Sequence, residues 1–221
     1  MTPAEQSTAA ALICRMAPVV PVLVIEDLAH ARPLAEALVA GGLPALEVTL
    51  RTGVALDAIR IMAEVPGGAV GAGTLLTPAD VRAARDAGAT FGVSPGATER
   101  IIDACAEHGL PLLPGAATAT EIMVLLERGY AVQKLFPAEQ SGGAAFLKSI
   151  AGPLPQVRFC PTGGITLKNA GDYLALPNIL CVGGSWVAPR AAMARGDWAA
   201  VTALAAEAVA LRQPVAVPAQ T

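Results

Sequence analysis

Short apolar runs alternate with longer stretches of helical periodicity along almost the whole chain. The apolar runs fall at residues 19–25, 45–50, 69–73, 91–93, 111–113, 131–136, 157–161 and 179–182. Helical patterns lie between them, at 30–40, 54–64, 78–87, 99–108, 119–128, 144–150 and 167–174. Strands alternating with helices of this length predict βαβ units and a parallel sheet. Eight such strands, with no break in composition between halves, predict a single-domain α/β fold, a (β/α)8 TIM barrel.

The boundaries sharpen this reading. Gly41-Gly42, Gly88, Gly109 and Gly129 each follow a helical pattern, where a glycine closes a helix with positive φ. Thr77-Pro78 reads as an N-cap followed by proline at the first helical position. An extra N-terminal helix near 3–16, within segment 1–17, is expected to cover the base of the barrel, which spans 18–212. A last helix near 198–211 packs outside, and 213–221 reads as a flexible tail.

Composition narrows the function classes. Hydrophobic residues make up 54% of the 221, enough for a large core, and aromatics only 4%. A net charge of −3 without a basic cluster argues against nucleic acid. The richest apolar stretch, near 19–25, is too short to span a membrane and contains Pro21. The start, MTPAEQSTAA, lacks the basic and apolar regions of a signal peptide. Cys14, Cys105, Cys160 and Cys181 form no CxxC pair and no metal spacing. They read as reduced, buried thiols of a cytoplasmic protein, with no metal and no cofactor expected; Cys160 and Cys181 read as strand-packing residues.

The candidate chemistry starts at Lys134, inside the apolar run Ala131-Val132-Gln133-Lys134-Leu135-Phe136-Pro137. It is one of three lysines against twelve arginines, and the other two fall in solvated helical stretches. An ammonium in a buried strand is costly unless paired, and burial favours the neutral, nucleophilic amine that Schiff-base chemistry uses. A structural lysine paired with a buried acid, or one snorkelling to the surface, is the alternative. The second strand, Ala45-Leu46-Glu47-Val48-Thr49-Leu50-Arg51, alternates strictly, which puts Glu47, Thr49 and Arg51 on one face. In a barrel the helix-facing side is apolar, so this polar side points to the axis; in an edge strand it would be solvated. Gly163-Gly164 and Gly183-Gly184 follow the last two strands, where barrels expose backbone amides to phosphate.

These residues sit in stretches that resemble the 2-keto-3-deoxy-6-phosphogluconate (KDPG) aldolase family. The matching stretches are Pro18-Val19-Val20-Pro21-Val22, Leu46-Glu47-Val48-Thr49-Leu50-Arg51-Thr52, Val70-Gly71-Ala72-Gly73-Thr74, Ser94-Pro95-Gly96, Lys134-Leu135-Phe136-Pro137-Ala138-Glu139, Val157-Arg158-Phe159-Cys160-Pro161-Thr162-Gly163-Gly164-Ile165 and Leu180-Cys181-Val182-Gly183-Gly184-Ser185-Trp186. The resemblance implies a cofactor-free class I aldolase of the Entner–Doudoroff pathway on a trimeric barrel. It would release pyruvate and glyceraldehyde 3-phosphate from a phosphorylated 2-keto acid, and could extend to 4-hydroxy-2-oxoglutarate. It further implies that Lys134 forms the imine and Glu47 moves protons. Arg51, Thr74, Pro95 and Phe136 would hold the pyruvate part. Gly163, Gly164, Gly184 and Ser185 would take the phosphate, and Thr162 would set preference at C4. Leu135 stands where some members carry phenylalanine, and Val24-Ile25 where some branches carry arginine.

Two other readings fit such a barrel, since fold alone does not decide function. One is a phosphosugar isomerase or epimerase, which needs no imine lysine. The other is a non-catalytic phosphosugar-binding barrel. His30 and His108 read as surface residues of helices. Trp186 reads as a cover for the phosphate rim or as a subunit contact.

Overall fold

The structure, a computed structural model, describes residues 1–211. In chain order the elements are α1 (Pro3–Arg15), β1 (Val19–Leu23), a 3-10 turn (Leu28–His30), α2 (Ala31–Ala40), β2 (Ala45–Thr49), α3 (Ala55–Ala63), β3 (Ala69–Gly73) and α4 (Pro78–Asp86). Then come β4 (Phe91–Val93), α5 (Glu99–His108), β5 (Leu112–Leu113), β6 (Gly115–Ala116), α6 (Ala119–Glu127), β7 (Val132–Leu135) and α7 (Gly143–Ile150). The chain continues through β8 (Arg158–Phe159), α8 (Ala170–Leu174), β9 (Val182–Gly184), α9 (Arg190–Ala194) and α10 (Trp198–Val209). The tail expected at 213–221, and residue 212 before it, lie outside the described residues.

The helices begin where local chemistry starts them. Thr2 with Glu5, Thr77 with Asp80 and Thr118 with Glu121 form reciprocal capping boxes, each satisfying amides the first turn leaves free. Gly109 ends α5 in the left-handed region at φ 62°, where a Cβ would be strained.

Every strand pair is parallel, and the sheet curls on itself. The order is β5-β4-β3-β2-β1-β9 in one ladder and β6-β7-β8 in the other. The sequence pattern predicts eight strands. Among the described residues there are nine, because the fifth is split in two at Pro114, which has no N–H to give a ladder. Beside that split, the Val132 N–H of β7 donates to Ser7 Oγ of α1 at 2.9 Å. Across the other gap, isolated bridges join Phe159 to Ile179 and Thr162 to Gly183. The last strand lies at 182–184 rather than 179–182, and the five-residue α9 is an element the periodicity does not predict.

Strand alternation sorts the apolar residues into two cores. Val19, Leu46, Val48, Val70, Ala72, Leu135 and Val182 face the helices. Val20, Ala45, Phe91, Val93, Leu113, Val132, Cys160 and Cys181 form a separate cluster on the concave face, closed by Ala10, Ala11 and Cys14 of α1. The N-terminal helix thus covers the base, as its position in the sequence suggests. Two buried polar contacts fix it: the bond to Ser7, and Tyr130 Oη donating to Gln6 Oε1 at 3.0 Å.

Replacing Ser7 by alanine leaves the Val132 N–H buried without an acceptor, which costs roughly 1–3 kcal/mol. Urea unfolding of Ser7→Ala should register a loss of that size; a change within experimental error would mean that this bond does not anchor α1.

Candidate active site

The register of β7 places Lys134. It pairs with Gly115 of β6, and its own N–H donates to the Pro114 carbonyl at 2.8 Å. Alternation turns Val132 and Lys134 to the concave face. Gln133 turns toward the helices, where its amide donates to the carbonyls of Ile122 at 3.0 Å and Tyr130 at 2.8 Å. On β2 the same period turns Leu46 and Val48 outward and Glu47 inward. The two inward charges meet: Lys134 Nζ lies 3.3 Å from Glu47 Oε1. Lys134 is 5% exposed and Glu47 3%.

Desolvating two charges costs several kcal/mol per ion, and replacing such a pair by packed apolar residues is often neutral or stabilising. The pair is therefore poorly explained by stability alone. Space for it is made by missing side chains. A Cβ on Gly73 of β3 would stand 2.2 Å from Glu47 Oε1. One on Gly183 of β9 would stand 2.1 Å from Thr162 Oγ1. Both are below any tolerable contact, so the glycines define where the polar groups can sit.

Thr74 follows Gly73 at φ 63°, the one non-glycine residue with positive φ among the described residues. A β-branched side chain there costs on the order of 1–3 kcal/mol, a strain that clusters at functional sites. Pro95 follows β4, and its carbonyl oxygen lies 2.3 Å from where a Gly115 Cβ would stand. That contact ties it to the strand beside Lys134.

Beyond the pair the concave face opens into a cavity of about 170 Å³. Its wall brings together Arg51, Phe136, Thr162, Gly163, Gly164, Gly184 and Ser185, all singled out in the sequence. Lys134 is linked to it through Phe136, with Nζ 5.2 Å from the ring centroid. Neither Thr74 nor Pro95 lines it. Arg51 is exposed at the rim, just past β2, and Ser185 likewise just past β9. Gly163 and Gly164 take positive φ, 104° and 77°. Their amides donate to no carbonyl among the described residues. Free amides in such a turn form an anion-binding nest. Glu139 braces the turn, since a Gly164 Cβ would meet its Cγ at 2.5 Å, and the Tyr173 hydroxyl donates to its carboxylate.

Several features escape the sequence pattern. Val22 of β1 lines this cavity and a neighbouring one of about 400 Å³, which also holds Arg51, Ser185, Arg190 and Met193. Arg190 and Met193 belong to α9, and Arg190 pairs with Glu26 at 2.6 Å. The only local signal for that helix is Pro189 before it. Trp186 lies on Gly184, where its ring occupies the space of a Cβ; this puts it against the rim. His30 is not free on the surface: its ring packs edge-on against Trp198 at 5.5 Å.

Below the pair lies a layer of thiols. Cys14, Cys160 and Cys181 place their sulfurs within 4.8 Å of one another, all buried. Hydrogen bonds from Cys14 and Cys181 hold the Cys160 thiol below the usual thiol range. Cys14 is pushed up by its bond to Cys160, and Cys181 by its bonds to Cys14 and Cys160. Cys105 is separate, pushed up to about 12 by burial.

Comparison with known proteins fits this geometry. The family model described as "KDPG and KHG aldolase" matches residues 11–204. The 2-dehydro-3-deoxy-phosphogluconate aldolase of Pseudomonas aeruginosa is 51% identical, over 93% of this chain and 94% of its own. The crystal structure of the KDPG aldolase of Zymomonas mobilis ZM4 with 3-phosphoglycerate is 54% identical, with a TM-score of 0.87 over 91% of this chain and 95% of that one. A KDPG aldolase from Legionella pneumophila, with pyruvate captured at low pH as a covalent carbinolamine, is 46% identical, with a TM-score of 0.88 over 90% and 97% of the two chains.

If Glu47 occupies the space over Gly73, the two positions are energetically coupled. Gly73→Ala should cost roughly 1–3 kcal/mol by overpacking, and distinctly less when Glu47 is also alanine. A double-mutant cycle by chemical unfolding checks this; additivity within about 0.5 kcal/mol would place the carboxylate elsewhere.

Proposed function

The chain belongs to the KDPG and KHG aldolase family, and from that premise we propose that it is a class I aldehyde-lyase cleaving KDPG to pyruvate and D-glyceraldehyde 3-phosphate through an imine on Lys134. The observation that carries the reading is the buried Lys134–Glu47 pair beside a cavity whose far wall is a nest of free amides. The relative holding pyruvate as a carbinolamine supports the covalent route, and the relative holding 3-phosphoglycerate supports a phosphate-binding role.

In this reading Lys134 attacks the C2 ketone as the neutral amine, with Glu47 taking up its proton. Glu47 then returns a proton, through a water, as the carbinolamine loses hydroxide. The iminium is an electron sink. When the C4 hydroxyl gives up its proton to the Glu47 carboxylate and the C3–C4 bond breaks, the bonding pair passes into the enamine and glyceraldehyde 3-phosphate leaves. Protonation of the enamine at C3 and hydrolysis release pyruvate and regenerate the amine. Covalent catalysis supplies the sink, so no metal or organic cofactor enters the sequence.

Arg51 offers a planar fork for the pyruvate carboxylate, while Thr74, Pro95 and Phe136 shape that end of the site. Gly163, Gly164, Gly184 and Ser185 receive the phosphate, and Thr162, 6% exposed beneath them, meets the C4 hydroxyl. Cleavage of 4-hydroxy-2-oxoglutarate uses the same lysine without the phosphate contacts. The two ladders are read as arcs of one eight-stranded cylinder, forming one domain over 18–212 with α1 as an added cap. Bridges at one seam and the unbroken path through Pro114 at the other support this closure. Exposed Leu76, Met123 and Val124 offer apolar surface for the homotrimer that the family resemblance implies. Free, buried cysteines suit the reducing cytoplasm.

The test is borohydride reduction in the presence of pyruvate, followed by peptide mass spectrometry. A reduced adduct is expected on Lys134, with turnover abolished in a folded Lys134→Ala. No adduct would shift the reading to an isomerase, an epimerase or a binding barrel. Glu47→Gln should still trap some imine while turning over ~10²–10⁴-fold more slowly, the usual worth of general acid–base catalysis.

A further inference from the structure

The three thiols at the base take no part in this chemistry, and they are a site in their own right. We propose that Cys14, Cys160 and Cys181 form a three-thiolate binding site for a soft, closed-shell metal ion, for which cuprous copper is the best match.

The ligands come from three places in the fold: α1, the segment after β8 and the segment before β9. Their sulfurs already lie within 4.8 Å of one another. Metal–thiolate bonds of about 2.3 Å put three coplanar sulfurs on the order of 4 Å apart, so small side-chain rotations complete the geometry. The surroundings choose the ion. The sulfurs are packed among Ala10, Ala11, Val20, Phe91 and Leu113, and among the described residues no His, Asp or Glu joins the three-cysteine group. Hard cations need oxygen ligands, and structural zinc takes four ligands. Cu(I) is soft, favours thiolates and accepts three. A small gap of about 10 Å³ beside Cys14, lined by Ala10, Ile13 and Phe91, leaves room next to the sulfurs. On loading, each thiol releases its proton to solvent and each sulfur donates a lone pair to the ion; no electron is transferred. The competing explanation is that the three cysteines are small apolar fillers, which predicts no specific affinity.

The experiment is an anaerobic titration of the reduced, full-length chain with Cu(I) against the chromophoric chelator bicinchoninate. One equivalent per chain should be withdrawn from the chelator, and X-ray absorption at the copper edge should count three sulfurs. Cys14→Ala and Cys181→Ala, each verified as folded by circular dichroism, should lose at least tenfold in affinity, while Cys105→Ala should not. Absence of stoichiometric binding overturns the proposal. So do a first shell containing nitrogen or oxygen, undiminished binding in either folded variant, and displacement of the copper by equimolar zinc.

Discussion

A lysine ammonium and a carboxylate held 3.3 Å apart where solvent barely reaches are the constraint around which the concave face is arranged. Neither charge can be kept there without the other, because an unpaired buried charge costs several kcal/mol. Neither can be moved outward without opening the contact between them. The surrounding sequence accommodates the pair rather than the reverse. Strict alternation on β2 and β7 presents one polar residue per strand to the same level. Helix-facing neighbours such as Leu46, Val48 and Leu135 carry the packing.

The concave face is organised in levels. At the base, α1 and a cluster of Val, Phe, Leu and Cys exclude water. The charged pair lies above, and above that the glycine turns open to solvent. Glycine serves two separate ends here. Gly73 and Gly183 are small because the side chains of Glu47 and Thr162 fill their Cβ space. Gly163 and Gly164 are glycine because their backbone takes positive φ and leaves its amides free. The same crowding acts at the base, where the Phe91 ring would clash with any Cβ on Gly71.

Much of this was legible in the sequence because it is periodic. The helices from α1 to α7 lie within a residue or two of where the 3.6-residue pattern puts them, and period two puts Glu47, Thr49 and Arg51 on one face, which the barrel reading then turns inward. What was not legible depends on contacts between distant segments. The split at Pro114, the two-residue β8 and the displaced β9 are set by which neighbour supplies a hydrogen bond, and Ser7 supplies one from 125 residues away. The helix α9, at five residues, is too short to show a period. Cys14, Cys160 and Cys181 have no diagnostic spacing along the chain; only closure of the base by α1 brings them together. The family motifs supplied the roles of Thr74 and Pro95, which no pattern reading would single out.

The different exposures of the two cations in the site have a physical reason. Lys134 lies deep, 5% exposed, and is partnered by Glu47. Arg51 instead lies exposed at the rim. Burying it as well would desolvate a second cation, which costs several kcal/mol unless it too is paired. At the rim it stays hydrated, and in the proposed reaction a substrate carboxylate would reach it there. A carboxylate that failed to reach Arg51 would leave the ketone misplaced relative to Lys134, and such misplacement costs rate even when affinity is kept. Under that proposal, recognition at the rim and chemistry at depth would be coupled through β2, since Glu47 lies on it four residues before Arg51.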